Sequence, residues 1–151
     1  MIRVQDAPID CETELRAFRE RHVGYGALAS FSGYVRGEAG RVEALELQHY
    51  PNVTEAEIER FQKRALKRFE LIDCLIIHRV GRMLPGEAIV MVVALASYRK
   101  QAFGAVDFLM DYLKTSAPFW KKQTGPDGPE WIEPKAADHD ARSAWDSEVE
   151  Y

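Results

Sequence analysis

The amino-acid sequence predicts an α+β domain with a mainly antiparallel sheet, three main helices and a short C-terminal helix. The first observation behind this prediction is the order of the elements, in which two pairs of strands are separated by helices. The second is that the strands arrive as adjacent pairs, which favours antiparallel pairing. The third is size, since 151 residues with 46% hydrophobic side chains suit a single domain, residues 1–151, with one continuous core.

The first third of the chain predicts a helix followed by two strands. Met1–Gln5 alternates weakly, as a short edge strand does, and Asp10 is placed to cap a helix that runs to about Val23. Aromatic and small residues over Tyr25–Arg36 then predict a strand that ends in a glycine-rich turn. The alternating segment Val42–Tyr50 predicts a second strand that pairs back on the first.

The middle of the chain predicts an amphipathic helix and two buried strands. Asn52 and Thr54 each precede a glutamate by three residues, which is the spacing of a capping box. An apolar stripe among charged neighbours follows, so this helix is expected to lie on a sheet. The apolar runs Leu71–Val80 and Ala88–Ser97 predict buried strands joined by a turn at Gly81–Gly86.

The last third predicts the remaining helices. A third helix runs from about Lys100 to Thr115, and its predicted apolar stripe consists of Phe103, Val106, Met110 and Leu113. Short segments punctuated by proline and glycine follow around Pro118–Lys122 and Trp131–Glu133, before a short helix near Ala136–Trp145. The sequence leaves open whether the acidic tail, about residues 146–151, is ordered.

Composition and motifs exclude several classes of function. The apolar runs are shorter than the roughly 20 residues of a membrane span, and a net charge of -4 disfavours general nucleic-acid binding. Neither glycine-rich nucleotide motif is present. Two cysteines, Cys11 and Cys74, and four scattered histidines provide no metal-site spacing, so no metal and no cofactor is predicted. The start of the chain lacks the order of a secretion signal, and the expected location is the cytoplasm.

Lys114 is the most informative single residue. It lies at the edge of the predicted stripe of the third helix, so we expect a partly desolvated lysine with a lowered pKa. The alternative is a lysine that extends to solvent and pairs with Asp111, three residues earlier. The residues themselves leave both interpretations open.

The segment after this helix combines aromatic and cationic side chains. In an extended chain Lys121 and Lys122 point to opposite faces, so one of them can approach Lys114 while the other remains solvated. Aromatic rings next to cations suit a flat heterocycle that carries a phosphate. The alternative is that Trp120 fills the core beside two solvated lysines.

Further cations lie at the ends of predicted elements. Arg36 follows the first long strand, Arg99 lies just ahead of the third helix, and His78-Arg79 ends a buried strand. Each alone is more often a charge at a strand end than a ligand. Together with a partly buried lysine they predict an anion-binding pocket.

Five sequence segments occur in the same order as in a known protein family. They are Phe31-Ser-Gly-Tyr-Val-Arg36, His78-Arg-Val-Gly81 with Pro85-Gly86-Glu87, Ser97-Tyr-Arg99 with Ala102-Phe103, Met110-Asp-Tyr-Leu-Lys114 with Ala117-Pro-Phe-Trp-Lys-Lys122, and Trp131-Ile132. From about Tyr25 to Trp145 the chain resembles the large, catalytic subunit of molybdopterin synthase. The resemblance implies an α/β-hammerhead-like fold and a homodimer that binds one small ubiquitin-like subunit per protomer, giving a heterotetramer.

The resemblance also implies a reaction. The small subunit carries a C-terminal Gly-Gly thiocarboxylate, and its sulfur is transferred to cyclic pyranopterin monophosphate (precursor Z) to make the dithiolene of molybdopterin in molybdenum cofactor biosynthesis. Lys114 matches the family's central lysine beside the thiocarboxylate, for proton transfer or orientation, and Lys121 matches a second catalytic lysine. The positions that match the substrate pocket are Tyr34, Val35, Arg36, Tyr98, Arg99, Lys122, Gln123 and Lys135.

Three of these positions depart from the family's usual residues. Tyr98 replaces histidine, Gln123 replaces glutamate, and Lys135 replaces arginine, which keeps the charge but loses the planar guanidinium. Two other functions compete with the sulfurtransferase: a non-catalytic binding module for a ubiquitin-like protein or anionic ligand, and a small phosphate-ligand enzyme that acts alone. The coexistence of both lysines with Arg36 favours the sulfurtransferase over simple docking.

Overall fold

The computed structural model describes residues 1–147 and confirms the predicted α+β class. A short 3-10 helix lies at Glu38–Gly40. In chain order the other elements are β1 (Ile2–Gln5), α1 (Cys11–Glu20), β2 (Ala27–Tyr34), β3 (Ala44–His49), α2 (Val53–Arg68), β4 (Asp73–Arg79), β5 (Gly81–Met83), β6 (Ala88–Ala96), α3 (Arg99–Thr115), β7 (Phe119–Gly125), β8 (Gly128–Ile132) and α4 (Ala136–Ser147).

The first of two four-stranded sheets has the order β1-β4-β6-β2. Only the β1–β4 pair in this sheet is parallel, and the other pairs are antiparallel. The central strands β4 and β6 are buried almost throughout because helices cover both faces of the sheet. Phe61 of α2 and Phe108 of α3 pack on one face, whereas Phe18 of α1 packs on the other.

The second sheet has the order β5-β3-β7-β8 and corrects three predictions. The segment predicted to pair back on the first long strand, now β3, pairs instead with β5 and β7. The chain leaves the first sheet because Glu38 and Ala39 adopt left-handed backbone angles, with φ of 48° and 55°. The predicted turn at Gly81–Gly86 contains β5, and the short segments after α3 form the β7–β8 hairpin.

Helix starts are determined by local and by long-range bonds. Asp10 caps α1 as predicted, since its carboxylate accepts a hydrogen bond from the Thr13 N–H at 3.1 Å. The capping box predicted for α2 is wrong, because Asn52 makes no side-chain cap bond. The hydroxyl of Thr54 instead donates to the carbonyl of Pro118 at 3.0 Å, which joins the start of α2 to the segment before β7.

The apolar stripe predicted on α3 is wrong at Phe103 and lies to one side of the buried face. Of its other members, Leu113 is buried, and Val106 and Met110 are partly buried against the core. Phe103 is 66% exposed, and the buried residues of the helix are Ala102, Ala105, Phe108, Leu109, Tyr112 and Leu113. At about 100° per residue, the centre of this buried face lies roughly 100° from the predicted one. Lys114 therefore lies about 160° from the centre of the buried face, on the far side of the helix.

The C-terminal helix α4 packs against α3 through specific hydrogen bonds. The Trp145 indole N–H donates to Asp111 at 2.7 Å, and the Tyr112 hydroxyl donates to Asp146 at 2.8 Å. Asp146 of the predicted acidic tail is thus part of an ordered helix, and residues 148–151 lie outside the described residues. Within residues 1–147, no helix combines the length and apolarity needed to cross a membrane.

Candidate active site

A cavity of about 600 Å³ opens where the two sheets meet beside the C-terminal end of α3. Its walls come from the ends of β2, β4 and β6 in the first sheet, from β3 and β7 in the second, and from α3. Much of the wall is apolar, and the apolar side chains include Val35, Leu45, Leu47, Val90, Leu113 and Phe119. The arrangement suits a ligand with a flat hydrophobic body and a few polar groups.

Three cationic side chains reach this cavity from separate elements. Arg36 follows β2, Lys114 lies in the last turn of α3, and Lys121 lies on β7. Glu38 also lines the cavity and partly offsets their charge. Arg36, Lys114 and His78 of the predicted anion pocket therefore line one cavity. Arg79 and Arg99, which the prediction also included, do not line it.

Lys121 is the desolvated lysine of the site. It is half-buried on β7, between Leu47 of β3 and Ile132 of β8. Burial lowers the pKa of Lys121, and the positive charges of Lys114 and Arg36 lower it further. A lysine in this state gives up its proton more readily than one in water, so it suits proton transfer.

Lys114 extends to solvent, as the alternative prediction had it, but its ion partner is a different residue. Its side chain is 59% exposed, and its ammonium pairs with Asp138 of α4 at 3.0 Å rather than with Asp111. Asp111 is occupied by the indole N–H of Trp145. The hydrogen bond from Lys114 and that from the Lys135 backbone N–H lower the pKa of Asp138, which keeps it ionised beside the lysine.

The other predicted substrate positions divide into two groups. Tyr34, Val35 and Gln123 line the cavity with the three cations. Tyr98 and Arg99, at the start of α3, are exposed and do not line it.

Lys122 and Lys135 complete the group outside the cavity. The ammonium of Lys122 lies 5.7 Å from the centre of the Trp131 ring, on the face of the hairpin opposite Lys121. Lys135 lies at the start of α4 and contacts Asp138 through its backbone. The substrate-binding roles of the four outlying residues stay predictions.

Two residues of the site had no role of their own in the sequence-based prediction. His78 lines the cavity at the end of β4, and the sequence counted it only as one of several cations at element ends. A polar ring inside an otherwise apolar run was the available signal. Asp138 was only one of several acids near the C-terminus, and its pairing with Lys114 depends on how α4 packs on α3.

Neither cysteine belongs to this cavity. Cys74 is buried in β4, where burial raises the pKa of its thiol to about 11. Cys11 lies at the start of α1 near Tyr34, and its proximity raises the pKa of the Tyr34 hydroxyl. Across residues 1–147, no group of three or more histidine, cysteine, aspartate or glutamate side chains is placed to hold a metal ion.

Comparison with known proteins assigns the chain to a family. The family model described as MoaE protein matches residues 4–116. The molybdopterin synthase catalytic subunit of Caulobacter vibrioides is 47% identical over 149 residues, which cover 99% of each chain. That of Mesorhizobium japonicum is 46% identical over 151 residues, covering 99% of this chain and 95% of the other.

A solved structure supports the same assignment. The molybdopterin biosynthesis MoaE protein of Burkholderia ambifaria matches with a TM-score of 0.83 and 47% identity, covering 98% of this chain and 99% of that one. The match of the family model and the identity over almost the full length of these relatives agree. The chain belongs to the MoaE protein family.

Proposed function

We propose that this chain is the catalytic subunit of a molybdopterin synthase. In this proposal it transfers sulfur from the C-terminal thiocarboxylate of a small ubiquitin-like subunit to cyclic pyranopterin monophosphate and so builds the dithiolene of molybdopterin. The observation that carries the proposal is the convergence of Arg36, Lys114 and Lys121 on one cavity with apolar walls. The names of the relatives agree with it.

The absence of a cysteine from the cavity lining fits a sulfur atom that arrives on a partner. Each transfer forms a carbon–sulfur bond on the pterin in place of a carbon–oxygen bond. It also breaks the acyl carbon–sulfur bond of the subunit's thiocarboxylate, and water supplies the oxygen that leaves this group as a carboxylate. Such a reaction moves protons and develops negative charge near the acyl group. It therefore needs cationic and proton-transferring side chains more than a nucleophile of its own.

The two lysines are suited to different parts of this reaction. Lys114 is exposed at the cavity and held by Asp138, so it would attract and orient the incoming anionic thiocarboxylate. Lys121 is more buried and has a lowered pKa, so it would transfer the proton. This division replaces the open choice for Lys114 with orientation and moves proton transfer to Lys121.

The pterin phosphate fits the remaining features of the cavity. Arg36 offers a planar guanidinium for two-point binding of the phosphate. Apolar residues, among them Leu45 and Phe119, form walls against which a flat heterocycle can pack. Gln123 provides an amide at the same cavity, where it would bind a polar edge of the ligand.

The assembly and the location belong to the same proposal. The chain would form a homodimer with one small subunit per protomer, a heterotetramer overall. A reducing cytoplasm fits the two free cysteines, Cys11 and Cys74.

The test combines the purified chain with a thiocarboxylated, Gly-Gly-tailed small subunit and cyclic pyranopterin monophosphate, without metal or ATP. We expect dithiolene product from the wild type and from Lys63→Ala, which removes an exposed lysine paired with Glu59 on α2. Lys114→Ala should abolish turnover while it still binds the small subunit. A stable complex that makes no product would identify a binding module, and near-normal turnover of Lys114→Ala would overturn the role of that lysine.

A further inference from the structure

His78 is a buried polar side chain in the cavity wall for which the proposed reaction gives no role. It is 6% exposed, and its backbone is fixed in β4 between Val4 of β1 and Val90 of β6. The imidazole stacks on Phe119 of β7, with ring centres 4.0 Å apart and planes 20° apart. Both the position and the plane of the ring are therefore set by neighbouring strands.

The hydrogen bonds of His78 determine which ring nitrogen carries the proton. Nδ1 lies 3.0 Å from the carbonyl oxygen of Arg79, and because a carbonyl only accepts, Nδ1 carries the hydrogen. Burial, helped by the nearby Lys121 and His49 and partly opposed by the hydrogen bond to Arg79, lowers the pKa of His78 to about 4. The ring is thus neutral at physiological pH, with a lone pair on Nε2.

This lone pair has no partner among residues 1–147. None of the hydrogen bonds in that part of the chain involves Nε2 of His78, and the side chain lines the cavity. Nε2 therefore borders the cavity without a protein donor, and a donor must come from what fills the cavity, either water or a ligand. A ligand N–H placed at this atom would displace the water and take over its hydrogen bond.

We infer that His78 is a ligand-binding residue whose Nε2 accepts a hydrogen bond from a ring-edge N–H of the pterin. This inference rests on the proposed function for the identity of the ligand. The pterin is favoured over the thiocarboxylate tail because Lys114, which would meet the tail, is 59% exposed whereas His78 lies at a buried part of the wall. A pterin carries amide- and amine-type N–H groups along one edge, beside apolar ring faces that suit Phe119.

Two variants separate this role from a structural one. His78→Asn keeps an N–H close to the position of Nδ1, where it can still donate to the Arg79 carbonyl, but it removes the acceptor at Nε2. His78→Gln places an amide oxygen near the position of Nε2 and so keeps an acceptor. The ligand is titrated into a complex of the chain with a small subunit that ends in an ordinary carboxylate, so that pterin binding is measured without turnover.

Calorimetry should show that His78→Asn raises the Kd for cyclic pyranopterin monophosphate by about 5- to 50-fold, and that His78→Gln restores part of the loss. The Kd for inorganic phosphate and the affinity for the small subunit should not change. Equal binding of the pterin by His78→Asn and wild type would overturn the inference, as would equal weakening of pterin and phosphate by both variants.

A measurement on the wild-type chain covers the case in which a variant fails to fold. In nitrogen NMR of isotope-labelled histidine, the Nε2 signal of His78 should move upfield when the pterin is added and remain in place with inorganic phosphate. An unmoved signal in a complex that binds the pterin would contradict the inference alone. A wild-type complex that neither binds the pterin nor, with the thiocarboxylated subunit, makes dithiolene would instead show that the proposed function is wrong.

Discussion

Lowering the pH should remove more folding free energy from the wild-type chain than from a His78→Gln variant. In the folded protein, burial lowers the pKa of His78 to about 4. In the unfolded chain the ring returns to its ordinary pKa of about 6.5. Between these two values the unfolded chain binds more protons than the folded one, so stability rises with pH in this range and is lost as the pH falls through it.

The gap between the two pKa values corresponds to about 3 kcal/mol of free energy of unfolding. This stability is fully present at neutral pH and is lost by about pH 4. This is a large part of the roughly 5–15 kcal/mol that separates folded from unfolded domains. The positive charges of Lys121 and His49 act in the same direction, because both oppose protonation of the buried ring. The glutamine variant has no titrating group at this position and should lack this loss.

The assay is urea unfolding of both proteins at several pH values between about 7 and 4. Acidic groups such as Asp138 and Asp146, whose pKa values are lowered by hydrogen bonds, titrate in both proteins. The difference between the two curves therefore isolates the histidine, even though His78→Gln loses ring stacking and starts from a lower stability. Parallel loss of stability in the two proteins would refute the assignment of a buried, neutral His78.

Three further predictions concern the site and the core. Asp138→Asn removes the ion partner of Lys114 and should slow sulfur transfer, and an unchanged rate would contradict its role. The free energy of unfolding should change by less than about 1 kcal/mol, because the Lys114 side chain is 59% exposed and solvent screens the pair. Phe108→Ala empties the core between α2 and α3 and should cost about 3–5 kcal/mol in urea unfolding, and a loss below about 1 kcal/mol would contradict the packing. Gly26→Ala would place a Cβ against the Ser97 carbonyl oxygen and should lower the melting temperature, and an unchanged value would argue against this close approach.

The features that sequence reasoning predicted well depend on short-range patterns. The apolar runs that became β4 and β6 are long enough to be identified without knowing their neighbours. The cap at Asp10 is a local hydrogen bond between residues three apart. Lys121 and Lys122 face opposite sides because side chains alternate along any extended strand.

The features that it predicted wrongly depend on contacts between distant segments. The buried face of α3 is determined by its contacts with α2, α4 and the first sheet. The sequence pattern of α3 alone therefore placed the centre of this face about 100° away from its position in the structure. Lys114 and Asp111 are three residues apart, so the sequence alone predicts that they can pair. In the structure, Trp145 of α4 donates its hydrogen bond to Asp111. Lys114 pairs instead with Asp138 of the same helix. The strand partner of β3 depends on the left-handed turn before it, which the sequence of the strand does not specify.

The most direct test of the central claim follows the sulfur atom itself. Mass spectrometry of the small subunit's C-terminus, in a single turnover with cyclic pyranopterin monophosphate, distinguishes the thiocarboxylate from the carboxylate. With the wild-type chain we predict conversion to the carboxylate and matching formation of dithiolene, and with Lys121→Met a rate lower by at least about 100-fold. A thiocarboxylate that persists beside bound pterin and the wild-type chain would contradict the account.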